Sequence, residues 1–288
     1  MRSGLIVAVS VFSMSLFSVC VVCSSGLFQI WLFLELLSLS VVPLFFISPH
    51  SLVLSGLFSY LVVSGIASCV FLVGVLFESC IYFSLLGLLL KFGVFPFYMW
   101  VYGVVSSSNW CVIWALSTYL KVPVFVVYYL FGGDSVVCLV ECLGFLGLLL
   151  FSLFFWFSSV DLYRCWCHMM LSSTVVMVVV SFASFNVLWP LFLFYVVWAS
   201  LVVACLWCCS KFKGFGSWHA FLVCGVVLAF PVSLSVVYKV FSSYCLFSCS
   251  LPVFLAWVVY GVSEQLYFLS LIVNHDLVRS GSSLLRSV

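Results

Sequence analysis

Apolar residues run through this chain in blocks of about twenty, broken by short polar interruptions. About twenty mostly apolar residues are what a helix needs to cross the hydrocarbon core of a bilayer. On that rule ten spans are expected, at 5–23, 27–47, 51–76, 81–101, 109–131, 135–157, 166–183, 187–209, 218–241 and 251–273. Strands of a membrane barrel would alternate apolar and polar positions. These blocks are apolar on every side, so helices are expected throughout. Every connector is short, which leaves one membrane domain over residues 1–288 and no room for a soluble one. The opening Met1-Arg2-Ser3-Gly4 and the apolar run to Cys23 could pass for a signal peptide. The run is longer than the 7–15 apolar residues usual in a signal, roughly, so it is read as the first span.

The connectors test this count. With ten spans, the N-terminus, the even-numbered connectors and the C-terminal tail (274–288) share one side of the membrane. That side holds Arg2, Arg164, Lys211, Lys213, Arg279 and Arg286, and the other holds no Lys or Arg, only Glu78 and Asp134. The bias puts both termini on the cytosol-equivalent side, which is the matrix in a mitochondrion.

Two spans carry a proline away from their ends: Pro96 in the fourth and Pro231 in the ninth. Proline removes an N–H and clashes with the preceding turn, and freed carbonyls in lipid must find partners in protein or water. The breaks recur five spans apart. Five is odd, so a second five-helix unit would lie upside down relative to the first. An inverted repeat is expected, with units at 5–131 and 135–273 and a broken helix in each.

Composition sharpens the exclusions. Of the 288 residues, 67% are apolar and 6% are Asp, Glu, Lys or Arg, against about 25% charged in soluble globular proteins. A water-soluble globule, a disordered chain and a nucleic-acid binder are excluded; the surrounding medium is lipid. Phe (32) and Cys (15) are abundant and Thr is nearly absent, a bias that fits a skewed coding strand of the kind found in some animal mitochondrial genomes. It also accounts for the cysteines, which sit in apolar runs where a thiol behaves as a small hydrophobe. Cys165, Cys167 and His168 have ligand-type side chains but no second paired element at zinc spacing, so no metal is expected.

The charges inside the membrane carry the candidate chemistry. Glu35, Lys91, Lys121, Glu141, Lys239 and Glu264 all fall within expected spans. Each such charge costs about 2.5–3.5 kcal/mol at mid-bilayer on insertion scales. They are expected to face the bundle interior and to pair or meet water. Lys91 and Lys121 lie deep in their spans; Lys239 lies near the end of its own, where a lysine can snorkel to the interface. A carboxylate that approaches or leaves a buried lysine changes how firmly that lysine holds its proton, and a line of such groups is a proton relay. Glu35 and Lys91 form such a pair if spans two and four touch. The energy source is elsewhere: the chain has no GxxxxGK[ST] and no GxGxxG after a strand.

Four motifs then stand out. Leu88-Leu-Leu-Lys91-Phe-Gly93-Val-Phe-Pro96-Phe97-Tyr98-Met-Trp100 resembles the broken-helix motif of the NADH dehydrogenase subunit 2 family, the antiporter-like membrane subunits of respiratory complex I. Trp31-Leu-Phe-Leu-Glu35-Leu is similar to the family's glutamate helix, and Ser117-Thr-Tyr-Leu-Lys121-Val-Pro123 to its next lysine helix. Pro231-Val-Ser-Leu-Ser-Val-Val-Tyr-Lys239 keeps the proline-to-lysine spacing of the second broken helix. The resemblance implies Glu35 and Lys91 as a coupled pair, Lys121 as the central relay and Lys239 in the second half-channel. It implies an inner mitochondrial membrane location among other complex I subunits and lipids, not a stand-alone monomer. NADH, FMN, iron–sulfur clusters and ubiquinone would be held by partner subunits, with no cofactor on this chain. Glu141 and Glu264 join the polar axis on the strength of their positions alone. The family usually has His where Tyr98 stands and Lys where Cys165 stands. Ten helices with both ends in the matrix fit a trimmed form of the family. The rival reading is a free-standing cation/proton antiporter of the same architecture.

Overall fold

The computed structural model describes residues 2–47, 51–77, 81–131, 136–158, 161–182, 185–211, 226–227 and 233–273. Its helices are α1 (Arg2–Cys23), α2 (Leu27–Phe45), α3 (Ser51–Leu76), α4 (Ile81–Phe92), α5 (Met99–Ser107) and α6 (Trp110–Ser117). After a single 3-10 turn at Tyr119–Lys121 come α7 (Val124–Phe131), α8 (Val137–Phe157), α9 (Leu162–Ser181), α10 (Phe185–Lys211), α11 (Leu234–Cys249) and α12 (Leu251–Val273). No strand occurs among the described residues. Eight stretches there are long and apolar enough to cross a membrane, and two shorter apolar helices, Tyr82–Phe92 and Leu234–Cys249, are pieces of the fourth and ninth expected spans.

Serine is frequent in these helices, yet lipid tolerates no unpaired polar group. Most of the hydroxyls resolve this by bonding back to carbonyls three or four residues earlier in their own helix. Ser15 to Phe12, Ser59 to Ser55, Ser152 to Leu149 and Ser243 to Val240 are examples, at 2.8, 3.0, 2.6 and 2.7 Å. A serine so engaged presents little more than a methylene to its neighbours. This is also why α11 runs on to Cys249, past the boundary at 241 expected from the sequence. Ser242 and Ser248 bond back to Lys239 and Cys245, at 3.0 and 2.7 Å.

The helices fall into a lipid-facing shell and a protein-enclosed centre. In α1 17% of the apolar stretch is buried; in α9 94% of it is. α9 packs against α5, α7, α8, α10 and α11, so it is the axis around which the two halves of the chain meet. The outer helices expose large apolar side chains such as Phe12, Phe58 and Phe157, as a surface solvated by acyl chains should. α3 and α4 cross closely. A Cβ added at Gly87 would come within 2.7 Å of the Ala67 carbonyl oxygen, so only glycine allows this approach.

Candidate functional site

The break in the fourth span lies where the sequence placed it, and its geometry follows from two residues. Gly93 has φ +68°, a left-handed conformation that costs a residue with a Cβ about 1–2 kcal/mol. The Val94 N–H reaches the Leu89 carbonyl at 3.1 Å and the Gly93 N–H the Leu90 carbonyl at 3.2 Å. This is the paired closure of a Schellman motif. Pro96 brings no N–H to the next turn, and the chain resumes as α5 at Met99. Trp100 Nε1–H, from the resumed helix, donates to the Leu90 carbonyl at 3.1 Å. The carbonyls freed by the break thus find partners inside the protein, as a membrane interior requires.

Lys91 sits in the last turn of α4, where the helix dipole favours a cation. Its ammonium donates to the Leu34 carbonyl on α2 at 3.2 Å, one residue before Glu35. Spans two and four therefore do meet at this lysine. Glu35 Oε2 accepts from Ser38 Oγ at 3.2 Å, whereas Glu35 Oε1 is buried with no hydrogen-bond partner among the described residues. The Tyr60 hydroxyl fixes the same turn, donating to the Ser38 carbonyl at 2.9 Å.

The fifth span is also broken, at residues 118–123, an interruption absent from the sequence expectations. The Ser117 and Thr118 hydroxyls both bond back to the Trp114 carbonyl, at 2.9 and 2.7 Å. Pro123 cannot supply an N–H to the Tyr119 carbonyl; the Val122 N–H takes it instead at 3.1 Å, one residue early. The turn tightens and ends on Lys121. Pro123, two residues after a lysine in an apolar run, was the available signal.

Lys121 is enclosed, with 3% of its surface exposed. Its ammonium donates to the Met170 carbonyl of α9 at 2.6 Å and lies 4.4 Å from the centroid of the Tyr195 ring. A cavity of about 20 Å³ is lined by both Lys91 and Lys121, with Trp100, Leu116, Met170 and Thr174. That is room for about one water molecule, flanked by two lysines.

Lys239 and Glu264 form the one ion pair among the described residues, Nζ to Oε1 3.0 Å. Neither atom makes a well-aligned hydrogen bond, so charge rather than alignment holds them together. Lys239 is the sixth of the 16 residues of α11, which runs on well past it, so it is not near a span end as the sequence boundary at 241 implied. α11 begins at Leu234 after the N-cap Ser233 (φ −78°, ψ 148°), whose hydroxyl accepts from the Val236 N–H. The expected break at Pro231 lies outside the described residues, as do Asp134, Lys213, Arg279 and Arg286. Glu141 lies in α8, and no ion pair or hydrogen bond among the described residues joins it to the other candidates.

Tyrosines fill the space between Lys121 and the ion pair, and sequence reasoning missed them. Tyr195 and Tyr238 have ring centroids 5.8 Å apart, Tyr238 precedes Lys239, and Tyr260 stands one turn before Glu264. All three are buried, and among the described residues none of their hydroxyls makes a well-aligned hydrogen bond, although Ser173 lies beside that of Tyr238 and Ser172 beside that of Tyr260. A buried hydroxyl without a partner costs about 1–3 kcal/mol, which a bound water relieves. An aromatic hydroxyl next to a membrane charge was the signal for them.

No family's sequence profile matches the chain. It is 30% identical over 93 residues to an NADH-ubiquinone oxidoreductase chain 2 from Artemia franciscana, a stretch covering 32% of this chain and 30% of the relative. It is 33% identical over 63 residues to the protein of that name from Artemia salina, covering 22% of this chain and 46% of the relative. The chain thus matches less than half the length of these curated relatives. Both carry the family name to which the motifs pointed, and the resemblance stands. Among solved structures the fold is similar to a chain of the Mrp complex from Dietzia sp., with TM-score 0.76 at 14% identity, covering 90% of this chain and 58% of that one. It is also similar to a chain of respiratory complex I from Thermus thermophilus, with TM-score 0.73 at 16% identity, covering 90% and 68%. An archaeal membrane-bound sulfane sulfur reductase has a similar chain, with TM-score 0.73 at 15% identity, covering 90% and 64%. The chain is a multi-pass helical membrane protein with the fold of antiporter-like membrane subunits.

Proposed function

We propose that this chain carries protons across the inner mitochondrial membrane as an antiporter-like subunit of a proton-pumping NADH:ubiquinone oxidoreductase. The observation that carries the reading is the water-sized cavity shared by Lys91 and Lys121, with both lysines held off the lipid by carbonyls of neighbouring helices. Neither lysine closes an ion pair among the described residues, so the charge of each can change without stranding a carboxylate.

In this reading a proton moves between lysines along the polar axis. Glu35 lies beside the carbonyl that holds Lys91, so a shift of α2 against α4 changes the field at that ammonium. Lys121 is the central station, its charge met by the Met170 carbonyl and the face of Tyr195. Lys239 is the station in the second half, and Glu264 neutralises it when protonated. Glu141 on α8 is a further candidate station, joined to the others by no ion pair among the described residues. Moving one charge against 100 mV costs about 2.3 kcal/mol, and nothing on the axis supplies it. Redox chemistry on partner subunits, which hold NADH, FMN, iron–sulfur clusters and ubiquinone, drives the movement. The basic connectors and both termini face the matrix.

The test is the ratio of protons pumped to NADH oxidised in membranes carrying the complete complex with Lys91→Met or Lys121→Met. The ratio falls if the lysines carry protons. Wild-type pumping by an assembled Lys121→Met complex overturns the reading. The likeness to the Mrp complex chain favours a second one, a cation/proton antiporter working without a redox partner. That reading expects the chain to purify away from NADH-oxidising subunits, whereas the first expects them to purify together.

A further inference from the structure

We infer that His168 is a further proton-carrying group, joining the membrane face at Ser158 to the Lys239–Glu264 pair through Tyr102 and Tyr260. The inference rests on the proton-carrying function proposed above. From the sequence His168 reads as a residue near the start of a span. In the structure it is fully buried in α9. Its Nδ1 is hydrogen-bonded to the Tyr102 hydroxyl on α5, the helix that resumes after the break. Its Nε2 faces the Ser158 hydroxyl at 3.5 Å.

The line has an outer and an inner end. Ser158 caps the C-terminus of α8, its N–H and hydroxyl both on the Phe154 carbonyl at 2.9 Å, and it is half-buried where the chain turns toward α9. Inward, Phe155 packs on both His168 and Tyr260, with centroids 5.1 and 5.7 Å apart. The Tyr260 hydroxyl is buried one turn from Glu264, beside the Ser172 hydroxyl and within electrostatic reach of Tyr102. The titratable groups around His168 are Arg164, Cys165 and Cys167 on α9, Tyr98 just before α5 and Tyr102 on it, and Tyr260 and Tyr267 on α12; α8 and its C-cap contribute the rings of Phe154 and Phe155 and Ser158.

Imidazole can bind a proton at one nitrogen while releasing one from the other, and hydroxyls on both sides can each donate and accept. In the step, Nε2 takes a proton handed across the Ser158 hydroxyl from water at the membrane face. The imidazolium then gives its Nδ1 proton to the Tyr102 oxygen as the proton already on Tyr102 passes inward toward Tyr260. The step starts with the ring proton on Nδ1 and ends with it on Nε2; one proton enters and one leaves, and a half-turn of the ring then sets an N–H toward Tyr102 and a bare nitrogen toward Ser158 again.

His168→Gln keeps a donor and an acceptor in place but cannot be protonated, and Tyr102→Phe removes one hydroxyl while leaving the ring. Both are read in membranes by proton pumping per NADH oxidised, with native gels confirming assembly, beside Lys121→Met. A several-fold loss of pumping is expected in both. Wild-type pumping by assembled His168→Gln overturns the inference. If that variant does not assemble, Tyr102→Phe decides: lowered pumping supports the line and wild-type pumping overturns it. Lys121→Met impaired with the other two normal removes His168 alone. Lys121→Met normal removes the proposed function, and this inference with it.

Discussion

Lys121 and Lys239 are both lysines inside a membrane bundle, yet the protein treats them differently. Lys239 has a carboxylate 3.0 Å away; Lys121 has a carbonyl at 2.6 Å and an aromatic face at 4.4 Å. A charge on Lys239 is neutralised by Glu264 and vanishes from the far field. A charge on Lys121 rests on dipoles and a ring quadrupole, which weaken its field without cancelling it. The first arrangement keeps two charges in place together. The second lets one charge come and go without stranding an opposite one. Function asks this of a central station, and stability asks the other of a pair inside a bundle.

The comparison breaks most visibly at the ion pair. Glu264→Leu leaves Lys239 without its counter-charge and is expected to cost about 3–5 kcal/mol, as for other broken buried pairs. Adding Lys239→Met to that variant restores most of the loss, because two apolar side chains strand nothing. Thermal unfolding of the detergent-solubilised complex measures both, and additive losses would dissolve the contrast. Lys121→Met is expected to behave oppositely, with little destabilisation, since the Met170 carbonyl still accepts from the Thr174 hydroxyl at 2.7 Å.

A double-mutant cycle between Lys121→Met and Tyr195→Leu sharpens the second half of the contrast. The coupling between ammonium and ring is expected at about 1–2 kcal/mol for a desolvated cation–π contact; zero coupling would mean that the carbonyl alone holds the charge. The smallest effect is expected from Trp100→Phe, which removes the indole N–H from the Leu90 carbonyl but keeps an aromatic ring. The loss is about 1 kcal/mol, read by thermal unfolding, and it measures how far the break beside Lys91 depends on that one bond.

Much of the site was legible because charge is scarce in this chain. Glu35, Lys91 and Lys121 stand out in apolar runs, and Gly93 with Pro96 announces the break beside Lys91. The interruption at Lys121 escaped because its local cause, Ser117 and Thr118 bonding back to Trp114 ahead of Pro123, hides in residues that elsewhere sit quietly inside helices. The boundary at 241, which set Lys239 near a span end, falls too early for a related reason. The serines after it look polar in the chain and are satisfied within their own helix.

What the sequence determined by itself is whatever lipid enforces one segment at a time. A backbone without water must close its hydrogen bonds locally, so length and apolar character suffice to mark helices, and a stray proline or glycine marks where one fails. The pairing of Lys239 with Glu264, the carbonyl and ring that receive Lys121, and the burial of His168 were decided only in three dimensions. Each depends on which faces of separate helices come together around α9. That choice follows from packing summed over many side chains, and no single stretch of chain contains it.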